Sequence, residues 1–123
     1  MAFLTIGLFL FAFAAVTKSK EQDNFYFDPA PMNTDVVEGE EVRLRCDVSN
    51  RKMISFYWTL NGRRLSNDSR RYQDDSDLRI LRVDRDRDLG SYRCIATNVT
   101  TGISVTSTEA KLNMHLVFVC LTF

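Results

Sequence analysis

Asp88-Leu89-Gly90-Ser91-Tyr92-Arg93-Cys94 is the stretch that decides how this chain is read. A tyrosine two residues before a cysteine, behind an aspartate and a glycine, marks the corner where a strand enters a two-sheet sandwich. The other parts of the same pattern lie upstream: Cys46 and, twelve residues later, Trp58. In such a sandwich one cysteine reaches across the gap between the sheets to the other. The indole packs on the bridge, and the tyrosine hydroxyl bonds to backbone a few residues upstream.

Cys46, Trp58, Tyr92 and Cys94 together therefore specify an all-β, immunoglobulin-like β-sandwich of the I-set type, two antiparallel sheets joined by one disulfide. Closing a loop of about 48 residues is worth roughly 4 kcal/mol through the unfolded chain, which compensates for the small core of a domain this size. Asp88 is placed to accept an arginine. The nearest candidate is Arg71, just before Tyr72 where the fourth long strand should begin, and the alternative is an unpaired surface aspartate.

Outward from the motif, apolar and polar residues alternate with the period of strands. Val42, Leu44, Cys46 and Val48 face inward and Arg43, Arg45 and Asp47 face water. Ile54 to Leu60 repeats the period with Phe56, Trp58 and Leu60 inside, and Asn61-Gly62 is a hairpin turn whose residues tolerate positive φ. Arg63 to Arg70 reads as a polar connection. Leu78, Ile80 and Val83, then Tyr92, Cys94 and Ala96, then Ala110 and Leu112 supply the remaining core. Phe25-Tyr26-Phe27 is a short edge strand stopped by Asp28-Pro29 and Pro31, with Val36 and Val37 as its second half. No helix is expected within the sandwich.

Composition narrows the chemistry. The 123 residues hold one domain, and 16 basic against 16 acidic side chains give no field for nucleic acid or a membrane surface. The single histidine, His115, lies in the tail, so the body has no donors for a metal cluster or a histidine triad. No metal, cofactor or catalytic residue is expected. Residues 1–19 read as a secretory signal with cleavage after Ala14 or Ser19, although no basic residue precedes its apolar run; the rival is an uncleaved anchor. Export suits the cysteines, since a disulfide does not persist in a reducing cytosol. The domain proper is expected over 25–114. Residues 115–123 form a short apolar tail outside the fold, read as a non-native extension, a continued last strand or an anchor signal. Cys120 there either pairs between chains or is an accident of the tail.

Two sequons, Asn67-Asp68-Ser69 and Asn98-Val99-Thr100, mark expected glycosylation sites in loops. Asp84 to Asp88 imitates the start of a calcium loop but has Leu89 and Ile95 where glycine and glutamate are needed. Arg43, Arg45 and Arg79 outline a basic stripe that sulfated glycans could use, against a reading as surface charge offset by Asp47 and Asp77. Tyr57, Arg93 and Ile95 point outward on the opposite sheet. An aromatic beside an arginine is the composition of binding hot spots, so the protein partner is expected there.

The segments Trp58-Thr59-Leu60-Asn61-Gly62, Arg70-Arg71-Tyr72, Leu78 to Arg85, Asp88 to Ala96 and Thr101-Gly102 add something narrower. Over Phe25 to Met114 the chain resembles the amino-terminal immunoglobulin domain of the protein tyrosine kinase-seven and off-track receptors, a family of receptor-like pseudokinases. The resemblance implies several extracellular immunoglobulin domains, one membrane helix and an impaired kinase domain, acting in Wnt and planar-polarity signalling, adhesion and axon guidance. The chain then reads as a truncated or alternatively terminated form, or a fragment. Its expected role is a non-enzymatic recognition module, secreted or on the extracellular face of the plasma membrane. It would bind a cell-surface or secreted protein, with homophilic contact as a further option. The alternative is a stand-alone secreted immunoglobulin modulator or decoy.

Overall fold

The computed structural model describes residues 25–114. The expected signal peptide (1–19) and the apolar tail with Cys120 (115–123) lie outside the described residues. Nine strands follow in order: β1 (Thr34–Val36), β2 (Val42–Leu44), β3 (Ile54–Leu60), β4 (Arg63–Arg64), β5 (Arg71–Asp74), β6 (Asp77–Ile80), β7 (Gly90–Asn98), β8 (Ser104–Thr106) and β9 (Ala110–Met114). The larger sheet has the order β1-β9-β7-β3-β4, with β8 also on β7, and the smaller has β2-β6-β5. This is the immunoglobulin sandwich, closed by a Cys46–Cys94 disulfide with Cα atoms 6.5 Å apart.

Alternation produces the core. Leu44, Cys46, Trp58, Leu78, Ile80, Tyr92 and Cys94 are buried between the sheets, each at a position whose sequence neighbours point the other way. Trp58 directly faces Cys94 in register, and its Nε1 donates to the Ser76 carbonyl at 2.9 Å, so the indole is buried with its one donor satisfied. Asn61 and Gly62 take φ of 51° and 82°, the mirror-image turn that suits the twist of a two-residue hairpin.

Three expectations change. Pairing is not wholly antiparallel, because β1 runs parallel to β9. Phe27 bridges Val48 beside the smaller sheet. The donor-less Pro29 and Pro31 then interrupt pairing, and the chain crosses to the larger sheet. Arg63–Arg64, expected in a polar connection, forms β4, because the tight turn brings Leu60 opposite Arg63 and Thr59 opposite Arg64. Finally, Arg85–Asp88 is one helical turn, α1, where no helix was expected. The Asp84 carboxylate accepts the Asp86 amide at 2.9 Å, and this cap nucleates a turn that alternating charges conceal from a hydrophobic-periodicity reading.

The last strand is broken in two, and Ser107 fills the break. Its Oγ accepts the Cys94 amide at 2.9 Å and donates to the Thr108 carbonyl at 2.9 Å. Its own amide donates to the Cys94 carbonyl at 2.9 Å. A serine there restores pairing to the disulfide-bearing residue where the ladder lapses.

Candidate functional site

The corner below β7 is a buried ionic cluster. Asp88, fully buried, receives Arg71 Nη1 on Oδ1 at 2.8 Å, as the sequence expectation paired them. It also receives Arg70, whose Nη2 lies 3.0 Å from Oδ1 and whose Nη1 donates to Oδ2. The Asp84 amide donates to the same carboxylate at 2.6 Å, so a buried charge is both paired and hydrogen-bonded, the condition under which burial is tolerated. The Asp88 carboxylate pushes the Arg70 guanidinium further up. Arg70 was missed because period-two reasoning assigns neighbouring residues to opposite faces, and Arg70 lies one residue before β5, where that rule does not hold. The Tyr92 hydroxyl, buried and pushed up to about 12 by that burial, donates to the Asp88 carbonyl at 2.6 Å.

The outer face of the larger sheet carries the residues expected to meet a partner. Tyr57 sits in register opposite Ile95, and Thr59 opposite Arg93. The Arg64 guanidinium lies 4.4 Å from the Tyr57 ring centroid, close enough for a cation–π contact. Arg93 keeps 44% of its side chain exposed, with Nη2 3.6 Å from Glu109 and Nη1 donating to the Ser107 carbonyl at 3.1 Å. Ile95 requires correction. It is only 5% exposed, because on the central strand it is flanked in register by Tyr57 on one side and Thr106 on the other. It supports this face from beneath and is not available as a contact.

The proposed basic stripe is also altered by tertiary pairing. Arg43 bonds Asp74 at 2.7 Å and Asp77 at 3.1 Å, and Arg79 bonds Glu41 at 2.6 Å. Among the described residues only Arg45 of the three is left without an ion pair, so the stripe does not present a free basic surface for sulfated glycans. Asp47 is engaged elsewhere, with Arg51 at 3.0 Å. Both sequon asparagines use Oδ1 as a backbone acceptor: Asn67 for the Gln73 amide at 2.8 Å, Asn98 for those of Thr100 and Thr101. Their Nδ2 groups, the atoms a glycan needs, donate no hydrogen bond among the described residues. Asp68, within the first sequon, is held below the usual carboxylate range by the Arg71 and Arg70 amides it accepts. No group of three or more potential metal ligands gathers among the described residues.

A family model for the immunoglobulin domain matches residues 28–98. The chain belongs to the immunoglobulin domain family. This immunoglobulin domain is 34% identical over 88 residues to the inactive tyrosine-protein kinase 7 of Gallus gallus, covering 72% of this chain and 8% of that protein. It is 37% identical over 89 residues to the tyrosine-protein kinase-like otk of Drosophila melanogaster, covering 72% of this chain and 9% of that one. The similarity agrees with the resemblance carried by Arg70-Arg71-Tyr72 and its companion segments. The chain spans about a tenth of the length of these curated relatives. Among solved structures, the tandem Ig repeats of Dlar superpose with a TM-score of 0.67 at 20% identity, covering 76% of this chain and 49% of theirs. The immunoglobulin domain is not an enzyme, and its vertebrate relative is itself named inactive. No helix among the described residues is long and apolar enough to cross a membrane.

Proposed function

We propose that this immunoglobulin domain is an extracellular recognition module of the pseudokinase-receptor type, binding a cell-surface or secreted protein through the outer face of its larger sheet. The observation that carries the reading is the Arg64 guanidinium stacked 4.4 Å above Tyr57, beside the half-exposed Arg93. Aromatic and arginine side chains dominate the energy of protein interfaces, and a stacked pair loses less freedom on binding than two mobile side chains. The disulfide and two accessible sequons support an exported, glycosylated product. Similarity to kinase 7 and otk extends the reading to adhesion, axon guidance and Wnt or planar-polarity signalling.

The test is surface plasmon resonance between the secreted chain and an immobilised otk ectodomain, with the chain itself immobilised as the homophilic control. Tyr57→Ala and Arg93→Ala should each weaken binding about tenfold; the Tyr57 variant also uncovers Ile95 and so lowers the thermal midpoint, and both are compared at a temperature where they remain folded. Arg45→Ala, on the other sheet, should bind as the parent does. Binding indifferent to both face substitutions would overturn the reading, and equal loss in all three would place the contact elsewhere.

A further inference from the structure

At the edge of the larger sheet, the hairpin turn and the start of β5 enclose an open cleft of about 620 Å³ lined by Arg63, Arg64 and Arg71, with Asn61 and Ser66 between them. Leu60 and Leu65 supply its apolar lining, and no carboxylate lines it. The geometry points to this cleft as a binding site for a sulfated glycosaminoglycan. The inference goes beyond protein recognition and concerns residues outside the Arg43, Arg45 and Arg79 stripe, where carboxylates already occupy two guanidiniums.

Charge balance is the first reason. Arg70 and Arg71 share one carboxylate, Asp88, so the corner retains positive charge where most other arginines of the domain are matched. Arg63 and Arg64 have no ion pair among the described residues. The nearest additional acid in sequence, Asp68, turns Oδ1 to the Arg70 and Arg71 amides and does not line the cleft.

Preorganisation is the second. Arg64 is held against Tyr57. Arg71 is held through Nη1 by Asp88 and the Arg87 carbonyl, while its Nη2 makes no hydrogen bond among the described residues. The Arg64 fork thus stands ready for an oxyanion at little entropic cost, and such forks match the geometry of sulfate oxygens, while Arg71, with Nη1 committed and Nε buried, adds fixed positive charge beside it. The Asn61 amide and Ser66 hydroxyl can meet sugar hydroxyls, and the leucines can meet the pyranose face.

Shape separates a saccharide from an acidic peptide. An extended peptide gains affinity by adding a strand to a sheet edge, and the edge here is β4, only two residues long. The cleft lies in the size range of small-ligand sites, room for a short oligosaccharide.

The test is isothermal titration of the secreted chain with a heparin octasaccharide in physiological salt, beside the same octasaccharide chemically desulfated and an oligoglutamate peptide. The sulfated sugar should bind and the desulfated one should not. Arg63→Ala with Arg64→Ala, both exposed, should weaken binding about tenfold or more, since each lost charged hydrogen bond removes at least that factor. Arg93→Ala and Arg43→Ala should bind the sugar as the parent does, so failure here is separable from failure of the protein-binding face. Lack of heparin binding, a double variant that binds like the parent, or oligoglutamate binding as tightly as heparin would each overturn the assignment. Unchanged thermal midpoints exclude loss of folding as the cause.

Discussion

Tyr92 and Asp88, four residues apart, hold each other at both ends of one turn: the phenol donates to the Asp88 carbonyl at 2.6 Å, while the Asp88 carboxylate is enclosed by Arg70 and Arg71 from the far side of the corner. Backbone and side chain of one aspartate are thus both committed, and neither commitment leaves a buried polar atom of that residue without a partner. The corner that turns the chain into β7, and so aims Cys94 at Cys46, is fixed by this pair.

Asp88→Asn should be among the most damaging conservative changes in the domain. It leaves Arg70 and Arg71 half-buried with no anion, and breaking a buried ion pair in this way costs about 3 to 5 kcal/mol. Urea unfolding would show the midpoint fall. Removing Arg70 alone should cost less than removing Asp88, because Arg71 still neutralises the carboxylate.

Stability should fall in alkali through Tyr92. Its folded pKa is raised from 10.0 to about 12, chiefly by burial. Between those values the unfolded chain has released a proton that the folded chain keeps, so the contribution is whole below pH 10 and disappears as pH rises toward 12. The loss amounts to about 2 to 3 kcal/mol. Tyr92→Phe should remove this alkaline limb while lowering stability at neutral pH by about 1 to 3 kcal/mol, since the Asp88 carbonyl loses its donor. Unfolding midpoints of both proteins across that range, with phenolate absorbance as the titration readout, check it.

Gly90→Ala should destabilise for a reason the motif does not reveal. Gly90 has φ of 147°, and a Cβ there would lie 2.6 Å from Asn61 Oδ1. That same oxygen accepts the Ser91 amide at 2.9 Å. The substitution should cost about 1 to 3 kcal/mol from backbone strain and displacement of Asn61. Adding Asn61→Gly, which suits the positive φ of that turn position, should recover the steric part and leave the backbone part. A double-mutant cycle by chemical denaturation separates the two; strict additivity would mean that the close approach has no energetic weight.

Replacing Cys46 and Cys94 together by alanine should lower stability by roughly 4 kcal/mol, the loop-closure value for the 48 residues they span. Secretion yield and unfolding with and without reductant measure it. A parent protein insensitive to reductant, with its midpoint unmoved, would contradict the expected role of the bridge.

Much of the sandwich was legible because inside and outside are written into alternate residues. The bounds of β3, Ile54–Leu60, and the inward set Val42, Leu44 and Cys46 follow from period two, and Asn61-Gly62 follows from which residues accept positive φ. Less legible were features set by what lies across from a residue. Ile95 reads as outward, and it is; its neighbours on β3 and β8 nonetheless cover it. Ser107 carries no signal of its own, and its value lies in facing Cys94 at a break in the ladder.

From the sequence alone came the two layers, the residues between them and the covalent bridge, since each depends on local alternation or on a residue type with one purpose. Only tertiary structure decided where the charges go: Arg43 meets Asp74 and Asp77 from more than 30 positions away, and Arg70 joins Arg71 on Asp88. Strand register and side-chain reach determine such pairs, and neither is encoded in the spacing of charges along the chain. The same reason left the arginine cleft beside β4 invisible until the hairpin closed.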